Sequence, residues 1–259
     1  MIVAPHPDDE AIGCVGAALR HLQCGDHVTV AIATDGGQAE PLADPLAMSA
    51  LRRREALAAA QLMRVHCLEW IGLPAWRWSV GDLRDRLSSL ISKANPHIVY
   101  APSRVDFHPE HLAVAHALAL ALEEVATPAI RDRRIRVYQI QVPLTRVLVN
   151  LVADVSALQR QCESVLRTYA SQAGSIESTY RLRRYGAASH RLAGRVEEFW
   201  ELTQSQFVAL HRQSPADWPR AFRGLRNFPL TDPLAFLVGR CERHRIRPGP
   251  DPGLLHTDR

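Results

Sequence analysis

The run His6-Pro7-Asp8-Asp9-Glu10 puts an imidazole and a row of carboxylates directly after a short apolar opening, Met1-Ile2-Val3-Ala4-Pro5. Far along the chain, Asp106-Phe107-His108-Pro109-Glu110-His111 offers the same mixture again. Two imidazoles and one carboxylate suit zinc, which in catalytic sites takes three protein ligands and leaves a position for water. His6 and Asp9, separated by one turn, can chelate one ion, with a further ligand from His108 or His111. Asp8 then points elsewhere, and a carboxylate beside an activated water is a candidate general base. Zinc lowers the pKa of its water from about 15.7 toward roughly 7, so hydroxide is available near neutrality. Whichever histidine does not bind metal can stabilise an oxyanion or protonate a leaving amine. The chemistry that emerges is metal-assisted hydrolysis of an amide. Each run alone also fits a helix start, where acidic residues favour the dipole and proline suits the first turn.

The elements around the two runs bring them together. Residues 2–5 read as a buried strand that ends at the His6 turn. Residues 27–34 (HVTVAIAT) are β-branched and stop at Asp35-Gly36-Gly37, residues 66–71 suit a short strand, and residues 97–101 (HIVYA) end just before the second run. Helical periodicity lies between them at 46–63, 82–94 and 111–125. This alternation predicts an α/β fold of the Rossmann-like, doubly wound kind, with a mostly parallel sheet and helices on both faces. Both runs then open at the carboxyl edge of the sheet, where such folds place ligands. Later, 134–141 and 147–153 suit strands, 156–170 a helix capped by Asp154 or Ser156, and 176–203 a mostly helical stretch. Prolines recur from residue 214 onward, which predicts an irregular C-terminal extension over the core. The domain division expected is 1–203 and 204–259.

Composition narrows the classes. A net charge of +4 is mild, and no segment interleaves aromatics with dense basic residues, which argues against nucleic acid. No apolar run approaches the ~18 residues of a membrane span, and the start lacks the pattern of a secretory signal. Five scattered cysteines without C-x-x-C spacing read as reduced thiols. A cytoplasmic protein is expected, with a homo-oligomer left open.

The residues quoted resemble the PIG-L/LmbE-like N-acetylglucosaminyl deacetylases, a family of zinc-dependent hydrolases. The family's A/P-H-P-D-D-E is matched by Pro5 to Glu10, and its D-x-H-P-D-H by Asp106 to His111, with Glu110 for the usual aspartate. Weaker matches are Thr34-Asp35-Gly36, the pair Arg52 and Glu55, Asp154, and Tyr169-Ala170-Ser171-Gln172, so the likeness covers roughly residues 1–200. The resemblance implies His6, Asp9 and His111 as ligands to zinc (or another divalent ion such as Fe2+) and Asp8 as general base. It implies His108 at the oxyanion or in proton transfer, Asp106 orienting His108, and Arg52 lining the substrate pocket. Glu10 reads as a structural acid in the first helical turn, and Glu110 receives no role. Trp76 and Trp78, in a loop after the third strand, suit packing or a sugar face.

The implied substrate is a small-molecule N-acetylglucosamine-type conjugate, in a bacterial enzyme of small-molecule, antibiotic or surface-glycan metabolism. Cleavage of another amide, in a thiol conjugate or long-chain acyl sugar, uses the same centre. A non-catalytic sugar-binding relative has no need of Asp8. A facial-triad iron oxygenase calls for an all-β scaffold, and a dinucleotide module for the full G-x-G-x-x-G.

Overall fold

In the computed structural model, residues 1–39, 43–102, 106, 108–125, 133–140, 144 and 148–212 are described. The elements are β1 (Ile2–Ala4), α1 (Asp9–Gln23), β2 (Thr29–Thr34), α2 (Pro45–Met63), β3 (Cys67–Leu73), α3 (Val80–Ala94), β4 (Ile98–Ala101), α4 (Pro109–Glu124), β5 (Arg134–Tyr138), β6 (Leu151–Asp154), α5 (Gln159–Leu166), α6 (Ala173–Ser189), β7 (Val196–Thr203) and α7 (Gln204–His211). The sheet runs β3-β2-β1-β4-β5-β7-β6. β3, β2, β1, β4 and β5 are parallel, while β7 runs antiparallel to both β5 and β6. The doubly wound, mostly parallel α/β fold expected from the alternation is present. Among the described residues no helix is long and apolar enough to cross a membrane.

Strand β1 shows why the sheet needs cover on both faces. Its side chains alternate, with Ile2 and Ala4 in the core beneath α1, α2 and α5, and Met1 and Val3 in the core beneath α3, α4 and α7. From β1 the chain winds outward through β2 and β3, and from β4 it winds the other way to β5. The carboxyl ends of β1 and β4 therefore flank the point where the winding reverses, the crevice that open α/β sheets use for ligands.

Two expectations fail here. Residues 176–203 are not mostly helical: α6 ends at Ser189, and Val196–Thr203 forms β7, inserted between β5 and β6. The sequence VEEFWELT hides its period-two pattern because Glu197 and Glu198 occupy buried strand positions. The helix expected over 156–170 is likewise shorter. A 3-10 turn at Ser156–Leu158 leads into α5, and a second at Ala170–Gln172 follows Tyr169, which turns inward. Asp154 Oδ1 does accept the Ser156 N–H (2.9 Å) at the start of this segment. Phe207 and Leu210 of α7 are buried beside α4. Of the extension expected over 204–259, residues 204–211 form α7, and residues 213–259 lie outside the described residues.

Helix α1 is broken at Cys14, where φ is −155° and ψ 26°. Arg183 and Glu197 bridge the break: the guanidinium donates to the Ala11 carbonyl (3.1 Å), and the carboxylate accepts the Gly16 and Ala17 N–H groups (2.8 Å each). The two side chains pair with each other at 2.6 Å. The first half of α1 also packs without clearance on β5, for a Cβ at Gly13 would run into the Tyr138 ring. Gly13→Ala is expected to destabilise by about 1–3 kcal/mol, the usual cost of overpacking. Urea denaturation checks this; an unchanged midpoint contradicts it.

Candidate active site

The first run turns directly after β1. Asp8 sits at the N-cap of α1 with φ 125°, a conformation that costs a non-glycine residue of order 1–3 kcal/mol. Its side chain makes no capping hydrogen bond. It accepts instead from the Arg52 guanidinium (2.8 Å), which also donates to the Pro7 and Gly36 carbonyls. The run does open a helix, with Asp9 and Glu10 in its first turn, but the Asp8 side chain is turned away from the helix end. Gly36, with φ 62°, lies so close beneath the Arg52 guanidinium that a side chain would displace it. Asp8 is 4% exposed. Burial, helped by Asp9 and Glu10 and opposed by Arg52, pushes its pKa up to about 7.

Three ligand-type atoms converge beside Asp8. His6 Nδ1 lies 3.2 Å from Asp9 Oδ2 and 3.1 Å from His111 Nε2, and His111 Nε2 lies 3.4 Å from Asp9 Oδ2. Atoms bound to a tetrahedral zinc at about 2.0–2.1 Å stand roughly 3.3 Å apart. The triangle has the size of one face of such a tetrahedron. The outer nitrogens are also held as in metal centres, where carboxylates fix each imidazole. Glu110 Oε2 is 2.9 Å from His6 Nε2, and Asp106 Oδ2 is 3.2 Å from His111 Nδ1. Charge points the same way. Burial lowers the pKa of His111, but Asp106 and Asp9 outweigh it and raise it to about 10. The pocket calls for a cation, and the residues present fit a divalent ion.

His108 belongs to the same cluster, since His6, His108 and His111 offer nitrogens within 4.8 Å of one another. Its Nδ1 is engaged, however, accepting the Glu110 N–H at 3.3 Å as the N-cap of α4. The imidazole proton then falls on Nε2. Burial, His111 and His6 depress its pKa to about 3, so the ring is neutral. Asp9 completes the triangle better than His108 does.

The other candidates sort by contact. Asp106 lies 3.2 Å from His111 Nδ1 through Oδ2, while Oδ1 accepts the His108 backbone N–H (3.0 Å). Arg52 lines the cavity, with its guanidinium committed to Asp8 and the Asp8 turn. Glu10 accepts the Asp8 N–H (3.2 Å) and the Tyr169 hydroxyl, which braces the strained turn from beneath. Glu55 accepts the Ser171 N–H and Oγ–H at 2.9 and 2.6 Å.

Glu110, to which sequence reasoning gave no role, is the main residue missed. Besides His6, it accepts the Trp76 N–H (2.8 Å) and the Trp78 indole N–H (2.7 Å). The signal was present, for a carboxylate beside a ligand histidine keeps the acceptor that such a ring needs. Also missed were Gln38, Ile140, Ser175 and Ser178, which with Trp76 and Gln172 line a cavity of about 250 Å³ over the triangle.

The doubly wound sheet thus carries two histidines and a carboxylate at its switch point, a donor set of the kind that can hold a divalent ion. Residues 1–122 match the PIG-L family, described as GlcNAc-PI de-N-acetylase. It is 28% identical over 132 residues to the probable N-acetyl-alpha-D-glucosaminyl L-malate deacetylase 2 of Bacillus subtilis (strain 168), covering 47% of this chain and 59% of that one. The chain thus spans about three fifths of the length of the curated relatives it matches.

Among solved structures, the N,N'-diacetylchitobiose deacetylase of Pyrococcus horikoshii aligns with a TM-score of 0.67 at 20% identity, over 83% of this chain and 86% of that one. The 4-carboxy-2-hydroxymuconate hydratase GalB of Pseudomonas putida KT2440 aligns with 0.68 at 16% identity, over 78% and 94%. At these identities the likeness establishes the fold. Since one neighbour is named a hydratase, the reaction has to be argued from the site.

Proposed function

We propose that the protein is a metal-dependent hydrolase that removes the N-acetyl group from an N-acetylglucosamine-type amino sugar carried on a small-molecule aglycone. The observation that supports this most is the triangle of His6 Nδ1, Asp9 Oδ2 and His111 Nε2 beside the buried Asp8 carboxylate. His6, Asp9 and His111 would hold a divalent ion, zinc by the chemistry of the donor set. Such an ion acidifies a water and polarises a carbonyl oxygen.

The protein's own groups supply the rest. Asp8, with a pKa near 7 and one oxygen on Arg52, is placed to take the proton of the attacking water. Arg52 keeps that carboxylate in place while it changes charge. His108 offers its Nε2–H to the oxygen that gains negative charge, because Nδ1 is occupied by the Glu110 N–H. Asp8, once protonated, can pass the proton to the departing amine. Asp106 and Glu110 hold the two ligand rings in register.

The family match and the curated relative, named for an N-acetyl-α-D-glucosaminyl conjugate, support the sugar class. Release of free amine and acetate from a panel of α-N-acetylglucosaminides with malate, inositol and methyl aglycones tests the reading. Turnover of at least one, abolished by a chelator, is expected. Turnover of longer acyl or thiol-conjugated amides alone would move the activity to another amide. Binding without turnover of any would mark a non-catalytic relative.

A further inference from the structure

Trp76 is 51% exposed at the mouth of the cavity. Its φ of 65° lies in the left-handed region, which is strained for a bulky side chain. Three polar contacts hold the segment in that pose: Ala75 N–H on Asp35 Oδ1 (3.0 Å), Trp76 N–H on Glu110 Oε1 (2.8 Å), and the neighbouring Trp78 indole on the same oxygen (2.7 Å). The anchors come from the loop after β2 and from the start of α4, so the segment is fixed to the same frame as the metal triangle. A strained, half-exposed tryptophan held so firmly contributes little to the core. Strain of this kind collects at ligand clamps.

The ring stands 5.3 Å from the His108 ring, tilted by 39°. His108 in turn lies 4.8 and 4.6 Å from the His6 and His111 rings. Trp76 is thus one ring spacing beyond the groups that would attend the scissile amide. Around the same cavity are the side chains of Gln38, Gln172 and Ser175, all hydrogen-bonding groups. A pyranose presents an apolar C–H face and a rim of hydroxyls, and this pocket offers an aromatic plate with polar groups about it.

We infer that Trp76 is the plate on which the pyranose ring carrying the acetamido group rests, and that Glu110 is the positioning residue that fixes the plate relative to the metal ligands. The inference rests on the amino-sugar reading above and deepens it. It makes this pocket selective for a ring over an open-chain amide.

The test measures binding of methyl N-acetyl-α-glucosaminide to chelator-treated full-length protein by titration calorimetry, where no turnover occurs. Trp76→Ala is expected to weaken binding about tenfold or more, and Trp76→Phe to stay within about threefold of the parent. Trp76→Asn, which tolerates φ 65°, serves where the alanine variant fails to fold, and it should weaken binding like alanine. With metal restored, Trp76→Ala should raise KM about tenfold with kcat within about threefold. Alanine and asparagine variants that bind as the parent does would overturn the inference, as would a folded phenylalanine variant as weak as alanine. Trp76-dependent binding without acetate release would sink the hydrolase reading alone. Hydrolysis with an unchanged KM in Trp76→Ala would sink this inference alone.

Discussion

Asp8→Asn lowers kcat by about 10²–10⁴-fold, the usual worth of a positioned general base, while fold and metal content stay as in the parent. The substitution is conservative in every respect except the proton. Asparagine keeps the size and keeps an oxygen for the Arg52 guanidinium. The triangle of His6, Asp9 and His111 does not include Asp8, so metal affinity is not the variable. Steady-state kinetics together with metal analysis of the same preparation decide the point. Full activity with metal bound would remove Asp8 from its role, and lost metal would mean that Asp8 is a ligand.

Glu197→Ala is the substitution expected to cost most in stability. Glu197 and Arg183 are 3% and 4% exposed, and the carboxylate accepts two backbone N–H groups in addition to the guanidinium. Its removal leaves a buried cation and the Gly16 and Ala17 amides without their acceptor. Removing one partner of a buried pair typically costs about 3–5 kcal/mol. Total stabilities run to about 5–15 kcal/mol, so roughly a fifth or more is at stake. The lower half of α1 carries Asp9 and Glu10, so a weakened splint should also loosen the site. Replacing both partners, as in Arg183→Met with Glu197→Leu, should cost less than Glu197→Ala alone. Chemical denaturation of the parent and the two variants reads this directly. A Glu197→Ala midpoint equal to the parent's would show that the pair contributes nothing.

The sequence disclosed the site's location better than its wiring. Both runs follow strands whose apolar character is continuous, because β1 and β4 are covered on both faces, and parallel strands must place their carboxyl ends together. The pairing of His6-Pro7-Asp8-Asp9 with His108-Pro109-Glu110-His111 followed from that alone. Strand β7 escaped notice because its two buried glutamates imitate the polar face of a helix. Their partners, Arg183, His190 and the α1 amides, lie outside the strand and are visible only once the chain is folded. The contacts of Glu110 and Asp106 were hidden for a related reason. Each carboxylate has two oxygens that serve different partners, and spacing along one run cannot tell which neighbour each oxygen reaches. Trp76 could be suspected from its residue type, but its left-handed backbone and its anchors needed coordinates.

The central claim is that one divalent ion, held by His6, Asp9 and His111, drives amide hydrolysis in this pocket. Its most direct test is titration of chelator-stripped protein with zinc while acetate release from an α-N-acetylglucosaminide is followed. Activity is expected to rise from zero and saturate near one equivalent of zinc, and to stay at zero in His111→Ala at the same metal concentration. Acetate release from the stripped protein at the full rate, or full activity in His111→Ala, would contradict it.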